Sequence, residues 1–102
     1  MPTLPRPLRI LWIRSWAQPT QALRDALADI GYRAILTRVD IEPAVHAAIM
    51  RRDFELAIVD GDAGIARELV ETWFREHRIY APVIDHGAPA TLVHRIERAM
   101  RA

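Results

Sequence analysis

The chain contains 102 residues, of which 51% are hydrophobic and 26% are charged, and its formal net charge is +1. This size predicts one compact domain over residues 1–102, because single domains commonly contain about 100 to 150 residues. All 14 basic residues are arginines, which excludes lysine Schiff-base chemistry, and their even spread does not predict a nucleic-acid interface. The absence of cysteine excludes thiol catalysis and is typical of a cytoplasmic protein.

The first half of the chain predicts two strands and two helices. Residues 1–7 are a proline-rich lead-in, and the apolar run 8–13 has the length of a strand covered on both faces, too short for a membrane span. Apolar side chains spaced three and four residues apart then predict a helix that ends at Gly31. Residues 32–37 predict the second strand, and Asp40 is placed to cap the second helix.

The second half repeats the pattern. Residues 56–59 predict a third strand, and Asp62 is placed to cap a third helix whose apolar stripe runs from Ile65 to Phe74. The fourth strand is predicted over residues 81–84, and the last helix opens near Pro89, a residue suited to a first helical turn.

Four strand-then-helix units predict an α/β fold: a doubly wound, flavodoxin-like parallel sheet with helices on both faces. Ligands of such sheets bind beyond the carboxyl ends of the strands. The residues predicted at that edge are Arg14, Ser15, Thr37, Arg38, Asp60, Asp62, Asp85, His86 and Gly87.

This layout resembles a response-regulator receiver domain, the phosphate-accepting module of bacterial two-component signalling. The likeness covers residues 8–62, from LRILWI to FELAIVDGD, and extends loosely over 63–101. It implies that Asp60, which closes the third strand, is the counterpart of the family's phosphoacceptor. It also implies a protein partner, such as a kinase or another signalling protein.

The chain departs from the family at its other site positions. Arg14 and Ser15 stand where receivers carry the acidic pair that holds Mg²⁺, Asp85 or His86 stands near the family's Thr or Ser, and no lysine is present. A guanidinium beside Asp60 would discourage a divalent cation and form a charge-assisted pair. We therefore expect a degenerate receiver that acts through protein contacts, is not an enzyme and needs no cofactor.

One βα unit is also missing, since receivers have five and this sequence predicts four. Residues 80–87 match either the fourth or the fifth strand of the family, and we favour the fourth. The missing unit would leave a sheet edge uncovered, which a partner chain could fill. Core packing accounts for most of the aromatic side chains of this region, and the alternative is an interaction patch, such as a homodimer contact, formed by Trp73, Phe74, Ile79 and Tyr80.

Two further interpretations stay open. The chain could be an active receiver that is phosphorylated at Asp60 with Mg²⁺ bound. It could instead be a small flavodoxin-like enzyme or ligand-binding domain that uses Asp60, Asp85 and His86, although no nucleophile and base pair is recognisable. Asp85 and His86 alone do not predict a metal site, because such sites usually take three or four ligands.

Overall fold

A computed structural model of the protein describes residues 4–15, 20–61, 64–87 and 89–101. Strands and helices alternate along the chain, as the sequence predicts. The elements are β1 (Arg6–Ile13), α1 (Gln21–Asp29), β2 (Tyr32–Val39), α2 (Glu42–Arg51), β3 (Leu56–Val59), α3 (Arg67–Glu76), β4 (Val83–Asp85) and α4 (Pro89–Arg101).

The strands form one parallel sheet in the order β2-β1-β3-β4. β1 pairs with β2 from Arg6 to Ile13 and with β3 from Ile10 to Ile13. The chain leaves β1 for β2 on one side and returns to β3 on the other, so the strand order reverses between β1 and β3. This arrangement confirms the predicted doubly wound α/β sheet.

Helices cover both faces of the sheet. Side chains alternate along β1, so Ile10 and Trp12 contact α1 and α4, whereas Leu11 and Ile13 contact α2 and α3. All four residues of β3 are buried, which explains its unbroken apolar run. Each fully buried Leu or Ile contributes about 1.5–3 kcal/mol relative to an exposed one.

The first strand starts inside the predicted lead-in, at Arg6, and therefore contains Pro7. Proline removes a ladder donor and is tolerated where one side of a strand is unpaired. On the β3 side, β1 is paired only from Arg9, whose carbonyl accepts from the Glu55 N–H, so Pro7 lies before the paired stretch. Among the described helices, none combines the length and apolarity that a membrane crossing requires.

The predicted capping of α2 by Asp40 is wrong. The residue at the N-cap position is Ile41, and no side chain caps the helix there. The Asp40 carboxylate lies 3.4 Å from the Arg38 guanidinium, so a charge partner on β2 engages it instead.

Helix α3 is shorter than the apolar stripe predicts, because it begins at Arg67 with Ala66 at the N-cap position. Ile65 therefore precedes the helix, although its side chain is buried in the core. The predicted cap, Asp62, lies outside the described residues.

Much of the predicted interaction patch is core. Trp73 and Phe74 are buried beneath α3, where Phe74 packs 5.4 Å from the ring of Phe54, because these side chains dock the helix on the sheet. Ile79 is partly buried against the same cluster. Only Tyr80, with 91% of its surface exposed, remains a surface aromatic of that predicted set.

Candidate functional site at the carboxyl end of the sheet

The backbone ladder continues past the strands and sets the positions of Arg14 and Asp60. The Asp60 N–H donates to the carbonyl of Ile13 at 2.8 Å, and the Arg14 N–H donates to the carbonyl of Val39 at 3.0 Å. Both residues therefore lie at the end of adjacent strands, where the strand order reverses. In doubly wound sheets this crevice is the usual place for a site.

The pleat directs both side chains to the same face. Trp12 and Ile58 contact α1 and α4, and two residues further along each strand come Arg14 and Asp60. The period of two along a strand thus puts the guanidinium and the carboxylate on the α1 and α4 side of the sheet.

Arg14 and Asp60 are in contact. The distance from Arg14 Nη2 to Asp60 Oδ2 is 3.5 Å, and the exposed fractions of the two side chains are 4% and 23%. Arg14 is the only charged residue that is buried among those described. A buried guanidinium is costly without an anion, so Asp60 stabilises it while keeping one side open to solvent.

Trp12 completes the site from β1. The Arg14 guanidinium carbon lies 4.5 Å from the centroid of the indole, which is the geometry of a cation–π contact. The same indole stacks on the His86 imidazole, with centroids 5.6 Å apart and planes 24° from parallel. Trp12 therefore links the Arg14–Asp60 pair to the end of β4.

Two buried donors in this site lack a hydrogen-bond acceptor among the described residues. They are Arg14 Nε and Trp12 Nε1. A buried donor without an acceptor costs about 1–3 kcal/mol. The site therefore contains donors that a water molecule or a ligand oxygen could satisfy.

Asp85 and His86 do not act as a pair. Consecutive residues of an extended segment point to opposite faces, and Asp85 contacts Arg67 of α3 at 3.2 Å while His86 stacks on Trp12. The His86 Nδ1 lies 2.9 Å from the carbonyl of Gly87. The structure therefore brings His86 to the site and leaves Asp85 outside it.

Arg38 is a site residue whose role sequence reasoning missed. Its Nη1 donates to the carbonyls of Arg14 and Ser15 at 3.3 and 3.1 Å, and thus ties the end of β2 to the segment after β1. Trp12 was also missed, although the spacing of two residues between Trp12 and Arg14 could have placed it on the same face.

The residues of this site do not fit a Mg²⁺ centre. Within the described ranges, no group of three or more His, Cys, Asp or Glu side chains is arranged to hold a metal ion. Mg²⁺ is usually held by one or two carboxylates together with water. Arg14 Nη2 lies 3.5 Å from Asp60 Oδ2, so a divalent ion bound to that oxygen would be repelled by the positive charge of the guanidinium.

Comparison of the chain with protein-family models, with curated proteins and with solved structures found no match.

Proposed function

We propose that the protein is an atypical receiver-like signalling module of the cytoplasm that acts through protein–protein contacts. In this proposal the module is not an enzyme and is not phosphorylated in a Mg²⁺-dependent reaction. The observation that supports it is the contact between Arg14 and Asp60, in which a buried guanidinium lies beside the carboxylate at the phosphoacceptor position.

Electrostatics explains why this contact opposes phosphorylation. Phosphoryl transfer needs metal ions to neutralise the developing charge and to position the phosphoryl group. Arg14 already supplies a positive charge, and it cannot leave Asp60 without becoming a buried, unpaired cation. Asp60 is therefore held beside Arg14 as the anion of a partly buried ion pair.

Partner contact is expected at the outer edge of β4. The Pro82 carbonyl accepts from Ala57 and the His86 N–H donates to Val59, so alternate residues of β4 face β3. The N–H and carbonyl of Val83 therefore face away from the sheet. Val83 can therefore pair with a strand of another protein, whereas the carbonyl of Asp85, the next outward-facing residue of β4, already accepts from Arg95.

The proposal is tested by incubation with acetyl phosphate and Mg²⁺, followed by intact-mass spectrometry. We expect no added phosphoryl group on the wild-type protein. Asp60→Asn serves as the control for labelling at other residues. A phosphoryl adduct on wild type that is missing from Asp60→Asn would show an active receiver and overturn the proposal.

A further inference from the structure

A second concave region lies beside β4, on a different part of the molecule from the Arg14–Asp60 pair. It is an open pocket of about 380 Å³ between α4, the end of β4 and the first turn of α3. Its walls are Arg67, Ile84, Asp85, Arg95, Arg98 and Ala99. Pockets for small molecules are commonly about 300–1,000 Å³.

The pocket has an excess of positive charge. Its single carboxylate, Asp85, lies 3.2 Å from Arg67 Nη1 and is therefore already paired. Among the described residues no carboxylate forms an ion pair with Arg95 or Arg98. Within the described part of the chain, two guanidinium groups of the wall thus lack an anionic partner.

Arg95 is held in place by the backbone. Its Nη1 donates to the carbonyl of Asp85 at 2.9 Å, which fixes the guanidinium at the pocket wall. It also lies against Gly87, where an added Cβ would be only 2.3 Å from Nη1, and Gly87 has a φ of +59°. A side chain at Gly87 would therefore both strain the backbone and displace Arg95.

The other two guanidinium groups are also placed towards the pocket. Arg98 follows Arg95 by three residues on α4, so both lie on the same side of the helix. Arg67 forms ion pairs with Asp85, 3.2 Å from its Nη1, and with Glu71, 3.1 Å from its Nε, although Nε makes no hydrogen bond to the described residues. Ile84 and Ala99 add an apolar wall.

We propose that this pocket binds a small molecule that carries a phosphate group on an apolar body. Guanidinium groups bind phosphate through paired, charge-assisted hydrogen bonds, and preorganised ones lose less entropy on binding. Ile84 and Ala99 contact the apolar part of the ligand. This site is independent of the proposed signalling role of Asp60.

The test uses three probes at constant ionic strength: phenyl phosphate, inorganic phosphate and phenol. Amide chemical shifts of the wild-type protein are followed by NMR. We expect saturable shifts at Asp85, Arg95 and Arg98 with phenyl phosphate, and binding about tenfold weaker with inorganic phosphate, because the apolar contact is lost. Phenol should give no saturable shift at these residues, because it lacks the charge.

Matched variants on α4 separate a specific site from general charge attraction. Arg98→Met should weaken phenyl phosphate binding about tenfold, because one charged donor is removed. Arg101→Met removes the same charge from a residue that pairs with Glu97 at 3.1 Å, outside the pocket wall, and should leave binding unchanged. Gly87→Ala should weaken binding by displacing Arg95.

Three outcomes would overturn the proposal. One is no saturable shift with phenyl phosphate, and another is equal loss of affinity in Arg98→Met and Arg101→Met, which would indicate unspecific attraction of anions. The third is equal affinity for inorganic phosphate and phenyl phosphate, which would remove the apolar body from the ligand class.

Discussion

The Arg14 guanidinium lies 3.5 Å from the Asp60 carboxylate at the ends of two adjacent parallel strands. Arg14 is buried, whereas 23% of the Asp60 side chain is exposed. Substitution of the two residues should therefore affect the stability of the protein to different extents. Removing Asp60 would leave a buried cation, and removing Arg14 would leave an anion that water can still reach.

A double-mutant cycle measures the coupling of this pair. We expect Arg14→Met and Asp60→Asn each to lower the free energy of unfolding by about 1–3 kcal/mol, with Asp60→Asn the more costly. The double variant should lose less than the sum of the two. Urea denaturation provides the measurement.

The pair of Arg51 and Asp53, 3.7 Å apart with more than half of each side chain exposed, is the control for that cycle. Its coupling should be about 0–1 kcal/mol, because solvent screens exposed charges. The contrary result is a double variant whose loss of unfolding free energy equals the sum of the losses in Arg14→Met and Asp60→Asn to within about 0.5 kcal/mol. It would show that the two residues are not coupled.

Neighbouring residues of α2 test the packing of the sheet face. Ile49 is fully buried and Met50 is 65% exposed. Ile49→Ala should lower the free energy of unfolding by about 2–5 kcal/mol because it leaves a cavity, whereas Met50→Ala should change it by at most about 0.5 kcal/mol. Thermal denaturation distinguishes them, and equal losses would contradict the described orientation of the helix.

Backbone conformation after α3 offers a stabilising change. Arg78 has a φ of 57°, which is unfavourable for a residue with a Cβ, and its side chain is exposed. Arg78→Gly should raise the free energy of unfolding by up to about 1 kcal/mol, the relief of strain being partly offset by the flexibility of glycine in the unfolded chain.

Arg75→Gly is the control for that change, because Arg75 is also exposed but lies inside α3. It should destabilise the protein by about 0.5–1 kcal/mol. Chemical denaturation measures the free energy of unfolding of the two glycine variants. Destabilisation by Arg78→Gly to the same extent as Arg75→Gly would contradict the left-handed conformation at Arg78.

Amide hydrogen exchange tests the direction in which the β4 backbone faces. The Val83 N–H faces outward, whereas the ladder pattern directs the Ile84 N–H towards β3. We expect the Ile84 amide to exchange about tenfold or more slowly than the Val83 amide. The exchange rates of both amides are measured by NMR. Equal protection of the two amides would show that the β4 edge is already covered.

Hydrophobic patterning was enough to predict the fold. Four apolar residues in succession predict a strand covered on both faces, and the third strand has these bounds, Leu56–Val59, in the structure. The contact between Arg14 and Asp60 was also foreseeable, since parallel strands bring their carboxyl ends to one edge of the sheet.

Other features depend on three-dimensional packing that spacing alone does not encode. The sequence favours core packing for the aromatic residues near α3 without showing which of them face the sheet; the docking of α3 buries Trp73 and Phe74 and leaves Tyr80 exposed. The stacking of His86 on Trp12 joins residues from β1 and from the end of β4, strands that are not neighbours in the sheet. Asp40 precedes the N-cap residue Ile41, and its carboxylate lies 3.4 Å from the Arg38 guanidinium.

The central proposal is that the Arg14 guanidinium lies where a divalent cation would otherwise neutralise the Asp60 carboxylate. Titration with Mg²⁺ and then beryllofluoride, followed through the amide shifts of Asp60 and Gly61, tests it most directly. The account predicts no saturable change at either amide. A saturable, Mg²⁺-dependent change that disappears in Asp60→Asn would contradict it.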